Sequence, residues 1–448
     1  MHENLDTLCR AVKHAMASGA DGADAMLFET VDVSLSRRLG KPEGIERSES
    51  KALGLRAFYG ARQAIVSSTD LSQDTLCELA ERVVAMAKAA PPDPDSTLAP
   101  SNLYPAALPD LDLCDASEPD NAWFTTQCKE AEEAALAVAG ITNSEGADAH
   151  FSRSITCLAI ADGKEIRFAH SYPSSAFSVS VSVLAGHGTA MERDYEYRAA
   201  RHRQDLDLAV NIGKSAGERT VKRLNPRKVP TCQAPVVFDP RVSKGILGIL
   251  ANAISGSAIA RGSSFLKDSL GKAIFPASVT ITDDPLLRRG LASKPFDAEG
   301  VATAPLTVVD KGVLSHWFLD MRTANKLKHA TTGHAARGLA SPPSPSCTNL
   351  YLHNGTLSPT ALMRDIKNGL YVTETFGMGV NLITGDYSQG ACGFWIENGA
   401  ITYPVSEITI AGKLPDMFAS ITPANDLTLR YTVNAPTLRV DGMTIAGA

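Results

Sequence analysis

A chain of 448 residues is too long for one ordinary hydrophobic core, so two or three domains are expected. Its 44% hydrophobic and 21% charged residues fit a soluble globular protein, and the formal net charge of −6 argues against a nucleic-acid surface, which needs clustered basic charge. The opening Met-His-Glu-Asn-Leu-Asp lacks the basic start and apolar run of a secretory signal, and the uncharged stretch 245–260 is too short to cross a bilayer and is interrupted by Asn252, Ser255 and Ser257. Eight scattered cysteines form no CxxC pair and read as free thiols of a reducing compartment, so a cytoplasmic protein without membrane contact is expected.

The first element is an amphipathic helix, with Leu5, Leu8, Cys9, Val12 and Met16 at helical spacing and Gly19 as its stop. Strand-like runs follow at Ala25 to Leu35, Leu53 to Phe58 and Gln63 to Ser67, the last two joined across Tyr59-Gly60-Ala61-Arg62. A second helix carries Leu76, Leu79, Val83 and Met86 on one face and ends at Pro91-Pro92. The Pro- and Asp-rich stretch 91–119 reads as a connector, so a first domain is placed at 1–115.

The central segment, 116–225, is expected to hold a helix near 121–139, a hairpin turning at Asp162-Gly163 and a closing helix near 205–224. That layout loosely repeats the first segment. The basic stretch Arg219, Lys222, Arg223, Arg227 and Lys228 reads as the solvated face and C-terminal end of the closing helix. From residue 226 to 448 strand patterns dominate, with a helix facing inward through Ile246, Ile249, Leu250, Ala253 and Ile254. Hairpins are expected at Asp310-Lys311-Gly312 and Asn398-Gly399, and between them a helix capped by Ser358, with Pro359 at its first position and Gly369 past its end. The fold class is therefore α+β: mixed α/β N-terminal and central segments and a larger, mainly antiparallel β C-terminal domain.

Familiar catalytic patterns are missing. Gly213-Lys214-Ser215 could end a Walker loop, but Leu208 replaces its first glycine. No GxGxxG opens a helix, and no HExxH places two imidazoles on one helix face. His329 and His334 read as polar loop histidines, His187 as a hairpin-tip residue, and Cys392 as a small buried thiol without a base.

Whole phrases of the second half nevertheless carry a resemblance. They are Arg223–Thr231, Pro235–Pro240, Phe265–Gly271, Gly290–Val301, Thr332–Ala335, Gly385–Gly399 and Pro404–Gly412, with Glu192–Tyr195 in the middle segment. On these phrases the chain resembles the PmbA/TldE branch of the TldD/PmbA family, long labelled "modulator of DNA gyrase". The resemblance implies a heterodimeric zinc metallopeptidase that cleaves unfolded peptides, in peptide maturation or antitoxin turnover, around an enclosed chamber. A TldD-like partner subunit would carry HExxxH and hold the zinc. In this chain the matching positions are Ala251, Asn252 and Gly256, so no metal and no catalytic residue is expected here.

The same resemblance makes this chain the other chamber wall. Asp386, Tyr387, Ser388 and Gly390, with His334, are its candidate lining residues for an extended peptide. The isolated chain could pair with itself. Two other readings stand beside this one: a stand-alone regulatory or binding protein of the gyrase-modulator type, and a self-sufficient homodimeric peptidase.

Overall fold

The computed structural model describes residues 2–163, 165–377 and 379–447. Helix α1 (His2–Ala17) buries Leu8, Ala11, Val12 and Ala15 on one face, as the spacing predicts. Strands β1 (Gly22–Arg38), β2 (Lys41–Tyr59) and β3 (Arg62–Ser68) follow, then α2 (Gln73–Ala89), whose Ser72 cap accepts from the Thr75 N–H. After the connector come α3 (Asn121–Leu136), capped by Asp120, and β4 (Ile141–Asp162). Next are β5 (Glu165–Ala185), β6 (Glu192–Ala200) and α4 (Ala209–Lys222).

These six strands form one antiparallel sheet in the order β3-β2-β1-β4-β5-β6. β1 pairs with β4 from Gly22 opposite Asp162 to Arg37 opposite Ala147, so the first and central segments share a continuous ladder. Each half supplies three strands and two helices, which gives the repeated layout a structural form. The boundary expected at residue 115 falls in the connector between the two halves of this sheet.

Strand alternation assigns the sheet's faces. Ala23, Ala25 and Leu27 of β1 pack under α1 and α2, and Val33 and Leu35 pack under α3 and α4. Met26 points the other way, joining Leu158, Ile160 and Phe168 against Phe296, Ala298 and Ala335 of the C-terminal part.

The β1–β2 hairpin is longer than the sequence pattern indicates, running to Arg38 opposite Lys41. Residues 41–50 are exposed on both faces, so nothing imposes hydrophobic alternation on them; the backbone ladder holds the strand, with Arg47 also bonded to Glu118 of the connector at 2.9 Å.

In the C-terminal part, β7 (Cys232–Phe238), β8 (Asn368–Phe376), β9 (Asp386–Glu397), β10 (Ala400–Lys413) and β11 (Leu438–Ala446) close into a ring. β7 and β8 run parallel; β7–β11, β11–β10, β10–β9 and β9–β8 are antiparallel. Its core includes Phe238, Leu370, Trp395, Ile410 and Ile445. The β9–β10 turn has Asn398 at φ 50° and Gly399 at φ 81°, the left-handed pair that a type I′ hairpin demands. The architecture is thus α+β with a mainly antiparallel C-terminal part.

Buried charges join the two parts. Arg56 of β2 stands opposite Asp24 of β1, and its Nε donates to Asp24 Oδ2 at 2.7 Å. Arg337 Nη1 lies 2.5 Å from Asp24 Oδ1 but is poorly aligned for a hydrogen bond, and Arg337 Nε and Nη2 find no acceptor. Glu299, 3% exposed, accepts from the Met321 N–H at 2.8 Å.

Burial pushes the Glu299 carboxyl up to about 8 despite nearby Arg56, with Asp297 adding to the rise. A carboxyl raised in the folded state stabilises it fully below the unfolded value and loses that contribution as pH rises through about 8. Glu299→Gln, which keeps the acceptor, should therefore melt near the parent at pH 5 and above it at pH 9. Thermal unfolding at the two pH values checks this, and a variant equally stable or weaker at pH 9 would contradict it.

Candidate functional site

The helix expected to carry the metal motif is α5 (Pro240–Ala253). Asp239 caps it by accepting from the Arg241 N–H at 2.9 Å, and Pro240 occupies its first turn. Ile246, Leu247, Leu250 and Ala253 are buried against the barrel. The helix stops there: Ser255 is extended, and Gly256 begins a separate short helix, α6 (Gly256–Ala260). The Gly256 N–H donates to Phe318 O at 2.8 Å.

Ala251 is half-buried and packs on the core, while Asn252 is exposed. Gly256 is fully enclosed. A Cβ there would lie 2.6 Å from Leu319 Cδ2, 2.6 Å from Thr323 Oγ1 and 2.8 Å from Thr323 Cβ. Thr323 cannot yield, because Asp320 holds both its N–H (2.8 Å) and its hydroxyl (2.5 Å) at the start of helix α7 (Met321–Leu327). The three positions do not fit a zinc ion: two lack a side-chain donor, the third is an amide, and one has no room for an imidazole. Among the described residues, no group of three or more His, Cys, Asp and Glu side chains is placed to hold a metal.

The chamber candidates separate into two places. Asp386 and Ser388 are exposed on β9, and Asp386 pairs with Lys413 and Thr384. Tyr387 points the opposite way into the barrel core, 4% exposed. The outer face of Gly390 is covered by half-exposed Phe376: a Cβ would lie 2.1 Å from that ring. Its lack of a side chain therefore accommodates Phe376. His334 sits elsewhere, 1% exposed inside the C-terminal part, against the Phe318 ring. Its Nε2 meets Asp283 at 3.1 Å, and its Nδ1 meets Thr332 O at 2.7 Å. Among the described residues, no hydrogen bond or ion pair joins His334 to Asp386, Tyr387 or Ser388.

The other candidates weighed in the sequence resolve similarly. His329 packs edge-on to Trp317, away from buried His334, and His187 is exposed between β5 and β6. Burial pushes the Cys392 thiol up to about 12 against the opposing pull of Arg223, so it is a poor nucleophile.

Lys222, Arg227 and Lys228 of the basic stretch are exposed, as a solvated helix end requires, but Arg219 and Arg223 depart from that reading. Arg223 is 12% exposed and Arg219 34%. Arg223 pairs with Glu192, Asp194 and Glu374, while Arg219 pairs with Glu196. Local charge at the end of α4 was legible in the sequence; its acidic partners on β6 were not, because they arrive through tertiary packing.

Comparison with known proteins agrees along the chain. PmbA/TldA metallopeptidase domain 1 matches residues 23–87, the central domain residues 108–224 and the C-terminal domain residues 231–447. Metalloprotease PmbA of Escherichia coli O157:H7 is 39% identical over 437 residues, covering 96% of this chain and 94% of that protein. A metalloprotease PmbA homolog of Haemophilus influenzae is 37% identical over 445 residues, covering 98% and 94%. Among solved structures, a candidate modulator of DNA gyrase from Bacteroides thetaiotaomicron superposes with a TM-score of 0.91 at 27% identity, over 100% of both chains. Three domain matches in order and identity above a third over nearly the whole length show that the chain belongs to the PmbA/TldD metallopeptidase family.

Proposed function

We propose that this chain is the metal-free, TldE-type subunit of a two-chain peptidase of the cytoplasm, working beside a related TldD-like subunit that bears HExxxH and zinc. The enclosure of Gly256 carries the reading. A position that cannot accept a side chain without displacing Leu319 and a capped Thr323 cannot supply a ligand. Names of relatives as metalloproteases support the reaction class, and the vacancy at 251, 252 and 256 supports the division of labour. The substrate is an extended, unfolded peptide, because an enclosed chamber excludes folded chains and strand pairing needs little sequence preference. Asp386 and Ser388 face away from the core that Tyr387 fills, so they are the proposed wall residues, with Gly390 between them and Phe376. Buried Tyr387 anchors the wall strand in the barrel core, and buried His334 ties Asp283 to the loop at Thr332.

Mixing the chain with the HExxxH-bearing relative of the same genome tests this. A one-to-one complex should form, and an unstructured fluorogenic peptide should be cut by the mixture alone. Cleavage by the lone chain at the same rate would refute the reading.

A further inference from the structure

A groove follows the junction of the central and C-terminal parts as three linked hollows of 420, 320 and 240 Å³. Arg219, Asp239, Arg241 and Tyr371 line both of the first two. Arg430, Tyr431 and Asn434 line both the second and the third. One flank is β6, the last strand of the six-stranded sheet; among the described residues it pairs with β5 alone.

Its outward main-chain groups are held by side chains. The Tyr195 N–H donates to Asp194 Oδ1 at 2.7 Å and the Tyr197 N–H to Glu196 Oε1 at 3.1 Å, while Arg198 Nη1 donates to Tyr197 O at 2.9 Å. Arg241 bridges the groove, bonding Asp194 at 2.9 Å and lying 4.9 Å from the Tyr195 ring centroid. Although the whole chain is acidic, cations outnumber carboxylates in this lining. Asp194 and Glu196 already have guanidinium partners, whereas Lys222 and Arg430, both exposed, make no ion pair among the described residues.

We propose that this groove binds an extended peptide rich in acidic side chains, added along β6 as a seventh strand. Tyr195 and Tyr197 would exchange the carboxylates of Asp194 and Glu196 for peptide carbonyls, as strand addition to an open edge requires. The released carboxylates keep Arg219, Arg223 and Arg241, and the peptide's own carboxylates meet Lys222 and Arg430. Alternating main-chain donors and acceptors match a peptide and not a phosphate backbone. The peptide as ligand class rests on the peptidase reading above; the acidic preference and the edge rest on the groove itself.

The test uses the full chain and two labelled, end-blocked peptides of about ten residues, long enough to span β6. One alternates Glu and Ser, the other Lys and Ser. Fluorescence anisotropy at low salt should show the Glu peptide bound at least about tenfold more tightly. The double variant Lys222→Glu/Arg430→Glu should lose about tenfold without shifting the unfolding midpoint, since both residues are exposed. Hydrogen exchange at the Tyr195 and Tyr197 amides should slow on binding.

Equal affinities for the two peptides, or unchanged affinity in the double variant, would overturn the proposal. So would displacement by oligothymidylate, or protection of those amides by raised protein concentration alone. If the two-subunit mixture cuts acidic and basic peptides alike with or without the double variant, the groove fails and the peptidase reading stands. If no partner pairs but the lone chain still binds the Glu peptide through Lys222 and Arg430, the peptidase reading fails and the groove stands.

Discussion

Replacing Asp24 by alanine should lower the unfolding free energy by about 3–5 kcal/mol, the cost of stranding buried charge after its partner is removed. Asp24 is 1% exposed and serves two guanidiniums, Arg56 from the neighbouring strand and Arg337 from the C-terminal part. Both arginine side chains are buried, each 3% exposed, and Glu299 is 3.9 Å from Arg56, too far to replace the lost bond. Burial alone would raise the Asp24 carboxyl, but Arg337 and Arg56 outweigh it and hold it below the usual carboxylate range. A lowered carboxyl contributes stability present above the unfolded value and lost as pH falls through the folded one. The gap between Asp24→Ala and the parent should therefore be full at pH 7 and narrow under strong acid. Urea unfolding at both pH values measures it. A loss under about 1 kcal/mol at pH 7, typical of an exposed pair, would show that water reaches the seam.

Grafting the missing motif should fail for a steric reason. The triple variant Ala251→His/Asn252→Glu/Gly256→His places every required side chain at the aligned positions, yet the last must enter space held by Leu319 and Thr323. Overpacking a tight site costs about 1–3 kcal/mol and occasionally more, and a histidine facing a capped helix start belongs at the upper end. Gly256→His alone should reproduce most of the destabilisation. Asn252→Glu should be nearly silent, because Asn252 is exposed. Urea midpoints and zinc content of the four proteins decide the matter. A triple variant that unfolds like the parent and holds stoichiometric zinc would show that the pocket opens readily.

Local pattern was sufficient where one element decides its own structure. Leu8, Val12, Leu79 and Val83 announce α1 and α2 through helical spacing, and Asn398-Gly399 announces its turn through left-handed backbone preference. It was insufficient where partners lie far along the chain. The β1–β4 ladder couples Gly22 to Asp162, and closure of the barrel couples β8 to β9 and β7; no short window contains those pairings.

The helix expected from Ser358 shows a subtler limit. Its cap and Pro359 are as expected, but it ends at Met363, well before Gly369. At the candidate site, Ala251 and Asn252 were legible as side chains without ligand function, whereas the tightness at Gly256 depends on Leu319 and Thr323 and becomes visible only in three dimensions.

Metal content tests the vacancy at residues 251, 252 and 256 most directly. The full chain should be purified alone and together with its HExxxH-bearing relative, dialysed against metal-free buffer, and measured by plasma mass spectrometry. The result expected is no retained zinc on the lone chain and about one zinc per two-chain complex. Stoichiometric zinc retained by the lone chain would contradict the assignment of the metal to the partner.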